Sequence, residues 1–427
     1  MRYYSLNNSS PLTSFKKAVQ NGIAPDRGLY FPEEITPISE DFINNISDYS
    51  NEEIAYEVIK QFIGDEIPAP ILKEIIKKTI SFDFPVVNLD ENIGSLELFH
   101  GPTMAFKDVG ARFMSQCLEY FNQSKTEDIT VLVATSGDTG GAVANGFLNA
   151  KGVQVVILYP KGKVSEIQEK QLTTLGNNIT ALEVDGVFDD CQEMVKSAFL
   201  DKNISRNLTS ANSINVARWL PQMFYFFFAY KQVANQYKDV VFSVPSGNFG
   251  NICAGLLAQK LGLPIKHFVA STNINDTVPQ YLIKGNYDPK PSKATISNAM
   301  DVGNPSNFIR IQELFDNNLS SLKKSFSSYS FSDDETKIMM KSIHDKFNYI
   351  SEPHGAIGYL GLKKYGLKTN EFGVFLETAH PVKFLHVVEE TLTVNVEIPP
   401  QIKEVMSKEK VSILISNYQD LKNFLNK

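Results

Sequence analysis

The chain has 427 residues, 43% of them apolar, with 48 acidic against 41 basic side chains and a formal charge of -7. A length of this order supports roughly two or three domains, and the even mixing of both signs leaves no basic stripe for a nucleic-acid partner, so an anionic ligand must be met locally. No apolar run approaches membrane-spanning length, the most apolar being residues 223–230, and the polar opening residues 1–10 carry no basic-then-apolar leader. These features predict a cytoplasmic protein without a membrane anchor.

The first eighty or so residues alternate turn signals, at Pro25 to Gly28 and at Pro32, with helix-like periodicity over residues 52–63 and 71–79. They predict a small, mainly helical leading domain over residues 1–85, followed by a catalytic region over 86–427. From Ile129 the pattern becomes strand, loop and helix in turn: strands are expected at 129–134, 153–159 and 179–184, with a helix over 140–150. Further strands are expected at 240–244, 265–270 and 373–376. Parallel strands need crossover connections, so this alternation predicts an α/β fold of two open, twisted, mainly parallel sheets with flanking helices. The smaller lobe is placed at about 125–205, and a cleft is expected at the carboxyl ends of the strands.

Four segments place glycines and hydroxyls where a strand gives way to the next element. In HGPTMAFKD, Lys107 follows Met104, Ala105 and Phe106, and a helix is expected over 110–119. A lone lysine reads as a solvated surface residue, whereas one desolvated among apolar neighbours loses basicity and becomes a nucleophilic amine. In ATSGDTGG, backbone N–H groups and the hydroxyls of Ser136 and Thr139 stand between a strand and a helix, which suits a carboxylate; the plain alternative is Ser136 or Thr139 capping the helix. In PSGNFGN, residues Gly247, Asn248, Phe249, Gly250 and Asn251 form a loop that a backbone-bound phosphate fits, without the GK[ST] of a Walker loop. In NSINVAR, Asn212, Ser213 and Arg218 fall within one or two helical turns and could hold a second phosphate, the alternative being helix caps and a surface arginine. Finally, ETAH closes a strand with the hydroxyl of Thr378. A masked lysine, a carboxylate loop and two phosphate loops together describe a site for a phosphorylated cofactor and a phosphorylated amino acid.

At HGPTMAFKD, ATSGDTGG, PSGNFGN and ETAHPVKF the chain resembles the threonine synthase family, pyridoxal-phosphate enzymes of fold type II with a tryptophan synthase β-like architecture. The opening MRYYSLNN, SFKKAVQNGIAPDRGLYFPEEI, SEIQEKQLTTLGNNI and SANSINVARWLPQMFYFFF match its bacterial and fungal branch, for which activation by S-adenosylmethionine is not expected. The resemblance implies pyridoxal 5'-phosphate carried on Lys107 as a Schiff base, its phosphate cradled by Gly247 to Asn251, its ring hydroxyl met by Asp138 and its pyridine nitrogen by Thr378. It further implies that Ser136 and Thr139 hold the carboxylate of O-phosphohomoserine, and that Asn212, Ser213 and Arg218 hold its phosphate. Another fold type II enzyme, a serine or threonine dehydratase or a cysteine synthase, shares the lysine and the glycine loop but needs no second phosphate site. A non-catalytic ligand-binding protein on the same scaffold is the reading from a different class. The three cysteines, Cys117, Cys191 and Cys253, fit neither a disulfide framework nor a zinc set, and the six histidines show no HExxH spacing, so a reducing compartment and no metal are expected. His100 and His354 are placed as candidates to line the cleft, and a monomer is expected.

Overall fold

Continuous apolar runs such as ITVLVA must be buried on both faces, which a parallel sheet covered by helices provides. The computed structural model describes residues 1–123 and 128–427. The expected start of the smaller lobe, near residue 125, lies outside the described residues. These residues divide into two units, one of Met1–Phe31, Lys107–Arg218 and Ile398–Lys427, the other of Pro32–Phe106 and Trp219–Glu397.

The first unit is built on a five-stranded sheet in the order Ile413–Ile415, Ile179–Val184, Val153–Pro160, Ile129–Ala134 and Asn207–Ser210. Every neighbouring pair is parallel. Each residue of Ile129–Ala134 is buried, as its unbroken apolar sequence requires. The helices Lys107–Asn122, Asp138–Gly146, Glu166–Thr173 and Phe188–Leu200 fall between or before these strands in the chain. The helix expected over 140–150 starts two residues earlier and stops at Gly146; Asn149, at φ 62°, has already left helical geometry. The leading helix Phe15–Asn21, capped by the Ser14 hydroxyl, lies beside strand Asn207–Ser210: the Val19 carbonyl accepts from Thr209 Oγ1 at 2.9 Å.

The second unit contains a six-stranded sheet in the order Phe326–Ser330, Ile265–Thr272, Asp239–Pro245, Glu371–Glu377, Ile93–Glu97 and Val86–Asp90. All pairs are parallel except the last. The α/β class and the pair of mainly parallel sheets are therefore as the strand spacing predicts, with strand ends within one or two residues. The apolar run at 223–230 is the buried helix Met223–Val233, where Phe226 meets Phe242 and Phe268 edge-on. Among the described residues no helix is long and apolar enough to cross a membrane.

The helix Pro353–Tyr365 lies almost directly on the central strands because it presents three glycines to them. A Cβ on Gly358 would be 3.4 Å from Phe375 Cβ and 3.5 Å from Pro245 Cδ, and one on Gly361 would be 2.5 Å from Ser243 Oγ and into Ser271 Oγ. A Cβ on Gly355 would enter the Glu377 carboxyl group. This close approach brings the N-terminus of the helix to the carboxyl ends of two strands. Glu352 caps it, accepting from the N–H groups of His354 at 2.9 Å and Gly355 at 3.2 Å. Glu377, fully buried, accepts from the Ser351 hydroxyl. Burial first, then the nearby Glu352 and Glu97 carboxyl groups, hold its pKa well above the ordinary 4.5.

Alanine at Gly361 gains about 1 kcal/mol of helix propensity but overpacks the serine pair at about 1–3 kcal/mol. We expect Gly361→Ala to lower the denaturant midpoint; an unchanged or raised midpoint would show slack between helix and sheet. Unfolding at pH above 4.5 ionises Glu377 while the folded carboxyl keeps its proton, so this residue makes stability fall as pH rises through that range. Glu377→Gln removes that slope. The thermal midpoint of the variant relative to the parent is expected to rise between pH 4.5 and neutrality, and a constant difference would refute the assignment.

Candidate active site

Three of the four loops singled out above belong wholly or partly to the first unit, where they converge. Lys107 is the first residue of its helix and is half-buried, with buried Asp108 beside it. One turn on, Gly110 meets the NSINVAR segment: a Cβ there would be 2.7 Å from the Arg218 carbonyl oxygen and 3.1 Å from its Nε. Arg218 is buried, not the surface arginine of the plainer alternative, and its guanidinium donates to the Ala211 carbonyl. Only Val216–Trp219 of this segment is helical, because Asn212 to Asn215 form a turn closed by Asn215 N–H to the Asn212 carbonyl at 3.1 Å. Asn212 Nδ2 donates to the Ala134 carbonyl at 3.1 Å, which ties NSINVAR to the end of the strand that carries ATSGDTGG.

In that turn the capping role falls to Thr135. Its Oγ1 accepts from Gly137 N–H at 3.0 Å and Gly140 N–H at 2.8 Å. Ser136 and Thr139 are half-buried, and among the described residues their hydroxyls have no hydrogen-bond partner, which suits groups reserved for a ligand. Gly137 sits at φ 140°, and a Cβ on it would strike the Gln168 side chain. Gln168 is buried and donates from Nε2 to Asp138 Oδ1 at 2.9 Å. Gln168 and Thr135 were not among the sequence candidates. Gln168 carries a legible signal, since Ser165 and Gln168 form a capping box at the start of Glu166–Thr173, but nothing in that motif points at Asp138.

The second unit carries the remaining segments. Strand Asp239–Pro245 runs into PSGNFGN and the helix Gly250–Lys260. Asn251 Nδ2 closes the loop on the Pro245 carbonyl at 2.9 Å, and Asn248 Oδ1 accepts from Ser306 N–H at 2.6 Å. Phe249 is left-handed at φ 60°, an uncommon conformation for a bulky residue. Gly247 is packed so closely that a Cβ would be 2.6 Å from Met300 Cα. The result is a largely buried, tightly wound turn at a helix N-terminus, whose N–H groups and dipole fit a phosphate group.

Thr378 ends strand Glu371–Glu377, and its carbonyl accepts from Phe106 N–H at 2.8 Å. Ala105 bridges Ala379, His380 N–H donates to the Met104 carbonyl at 3.0 Å, and buried Lys383 donates to the Thr103 carbonyl at 3.1 Å. The segment preceding Lys107 is thus fastened to ETAHPVK along its length. Among the described residues the Thr378 hydroxyl has no hydrogen-bond partner. A neutral hydroxyl fits a pyridine nitrogen that need not be protonated. His100 is exposed and held by Glu97 at 2.8 Å, whereas His354 is buried with Nδ1 on Glu352 at 2.5 Å. The three cysteines are buried and unpaired, and burial pushes the thiols of Cys191 and Cys253 up to about 12, so none is poised as a nucleophile.

These loops match known proteins throughout the chain. Residues 92–372 match the model of the pyridoxal-phosphate dependent enzymes, residues 2–80 that of the threonine synthase N terminus, and residues 355–425 that of the threonine synthase C-terminal region. A threonine synthase of Buchnera aphidicola subsp. Baizongia pistaciae is 46% identical over 433 aligned positions, covering 100% of this chain and 99% of its own. The crystal structure of threonine synthase from Escherichia coli superposes with a TM-score of 0.94 at 42% identity, covering 100% of this chain and 99% of that one. A pyridoxal-phosphate-bound threonine synthase from Brucella melitensis does so with a TM-score of 0.94 at 32% identity over 100% and 99% of the two chains. On these matches of sequence and fold, the chain belongs to the threonine synthase family of pyridoxal-phosphate dependent enzymes.

Proposed function

We propose that this chain converts O-phospho-L-homoserine and water into L-threonine and phosphate, by γ-elimination followed by β-addition of water, as the last step of threonine biosynthesis. The observation that carries this reading is that its likeness to threonine synthases runs through the whole chain, including the N-terminal and C-terminal segments, and is not confined to the cofactor-binding region shared with dehydratases and cysteine synthases. Pyridoxal phosphate, when bound, stabilises negative charge at the carbon next to an amine joined to it.

Lys107 would hold the cofactor through its amine, and that amine, once freed, would take the proton from Cα of the substrate. Backbone N–H groups of Gly247, Asn248, Phe249, Gly250 and Asn251 hold the cofactor phosphate, Asp138 the ring hydroxyl and the Thr378 hydroxyl the pyridine nitrogen. The hydroxyls of Ser136 and Thr139 orient the substrate carboxylate. Asn212, Ser213 and Arg218 bind the substrate phosphate, for which Arg218 would turn its charge from the Ala211 carbonyl or share it. Loss of a proton from Cβ and departure of phosphate from Cγ would be followed by protonation of Cγ, addition of water at Cβ and return of a proton to Cα, so that substrate and water together give threonine and phosphate. Gln168, through its bond to Asp138, is a positioning residue for the ring hydroxyl contact.

In this reading residues 1–85 form the family's N-terminal domain and 86–427 the catalytic region, with a smaller lobe at about 125–205; the matched segments 2–80 and 92–372 support that division. We further place the protein in the cytoplasm, acting as a monomer on a small-molecule substrate. Three unpaired, buried cysteines support a reducing compartment.

The test is release of phosphate and threonine from O-phosphohomoserine by the cofactor-loaded protein, beside Lys107→Ala and with serine and threonine as alternative substrates. Equal release of both products is expected, falling by about a thousandfold or more in the variant; activity on serine or threonine alone would assign a dehydratase or synthase instead. Arg218→Gln should lower kcat/KM for the phosphorylated substrate by about 10- to 100-fold, the scale of a lost charge-assisted hydrogen bond of about 1.5–3 kcal/mol, and should weaken inhibition by inorganic phosphate. An unchanged phosphate inhibition constant would remove Arg218 from the site.

A further inference from the structure

The turn that fits the cofactor phosphate, Pro245 to Asn251, contains no cationic side chain. A phosphate dianion withdrawn from water is held more strongly where a charged donor adds to neutral N–H groups. The candidate for a further side-chain donor is His354. It lies in the first turn of Pro353–Tyr365, and the next turn of the same helix, at Gly358, sits against Pro245 and Phe375, near the carboxyl ends of both central strands. Its charge is felt at Asp301, next to Met300, whose Cα touches Gly247. The imidazole is pinned by Phe384, ring centroids 4.8 Å apart, and by Glu352, which takes Nδ1 at 2.5 Å. The remaining nitrogen, Nε2, is buried without a hydrogen-bond partner among the described residues. An orphaned buried polar atom costs about 1–3 kcal/mol, which a ligand oxygen at Nε2 would recover.

The hydrogen bonds agree with this placement. Glu352 is bonded to the N–H groups of His354 and Gly355 and to His354 Nδ1, which fixes the ring and leaves Nε2 as the nitrogen open to a ligand. Glu377, in the same cluster, is held toward its neutral form by burial.

We propose that His354 is a cofactor-binding residue whose Nε2–H donates to the phosphate of bound pyridoxal phosphate, with Glu352 as the positioning residue that fixes the ring. This rests on the cofactor assignment above. The experiment is an absorbance titration of cofactor-depleted protein with pyridoxal 5'-phosphate and, separately, with pyridoxal, for the parent, His354→Ala, His354→Gln and Glu352→Gln. His354→Ala is expected to weaken pyridoxal 5'-phosphate binding by tenfold or more and leave pyridoxal binding within twofold. His354→Gln, which retains a donor, should recover part of the loss, and Glu352→Gln should reproduce most of it. Circular dichroism and the unfolding midpoint of each apo variant identify any that misfold, and His354→Gln then carries the comparison with its 31P resonance in the bound state, expected to shift from the parent. Equal affinity of parent and variants for pyridoxal 5'-phosphate, or equal loss for both ligands, would overturn the proposal. Failure of the parent itself to bind pyridoxal 5'-phosphate would instead overturn the cofactor reading.

Discussion

A lysine side chain has four rotatable bonds, and in the proposed reaction the Lys107 amine would have to reach one carbonyl carbon and then one carbon-bound proton, so its backbone must be fixed first. The hydrogen bond from Phe106 N–H to the Thr378 carbonyl, 2.8 Å long, supplies that constraint immediately before Lys107. It does not act alone. The Phe106 carbonyl accepts from the Tyr225 hydroxyl, Ala105 bridges Ala379, and the Met104 and Thr103 carbonyls are taken by His380 N–H and Lys383. Met104 meanwhile is left-handed at φ 58°, a conformation that costs an ordinary residue roughly 1–2 kcal/mol. Such a conformation persists only where its surroundings over-determine it, and four separate ties on the adjoining peptide groups do so.

The strand end that anchors this segment is also where the second unit accumulates buried ionisable groups. Gly355, Gly358 and Gly361 let one helix approach the sheet closely enough for its capping Glu352 to share a buried pocket with Glu377, Ser351 and His354. Two carboxyl groups so placed cannot both ionise cheaply, so Glu377 keeps its proton and Glu352 is the member satisfied by three N–H donors. In the first unit the same economy of charge is seen at Asp138, whose carboxylate is steadied by the neutral amide of Gln168.

The leading residues are divided between the two units. Residues 2–80 match a single family segment, yet Met1–Phe31 packs with one unit and the chain from Pro32 onward with the other. In the first, the Val19 carbonyl accepts from both Thr209 Oγ1 and Asn215 Nδ2, at 2.9 Å each, so the leading helix buttresses the turn that carries Asn212 and Ser213. In the second, Ile38 N–H donates to the Leu261 carbonyl at 2.8 Å, just past the helix that begins in the phosphate turn. A segment tied in this way to functional turns far away in the chain is one whose partners must vary with it, which accords with a likeness to threonine synthases that spans the full length.

The amino-acid sequence by itself determined the α/β class, the positions of the principal strands and the four loops, because apolar runs of strand length and clusters of glycine and hydroxyl residues are local signals. It also named the family, through motifs long enough to be specific. Tertiary structure decided what local signals cannot carry: that Thr135 and not Ser136 or Thr139 caps the helix after ATSG, that Arg218 is buried against Gly110, that Gln168 reaches Asp138 across thirty positions, and that Glu352, His354 and Glu377 share one buried cluster. Hydrogen bonds and burial are properties of atoms brought together by packing, and residues such as Glu377 and His354 look like any other Glu or His until the helix that carries one is laid by its glycines on the strand that carries the other.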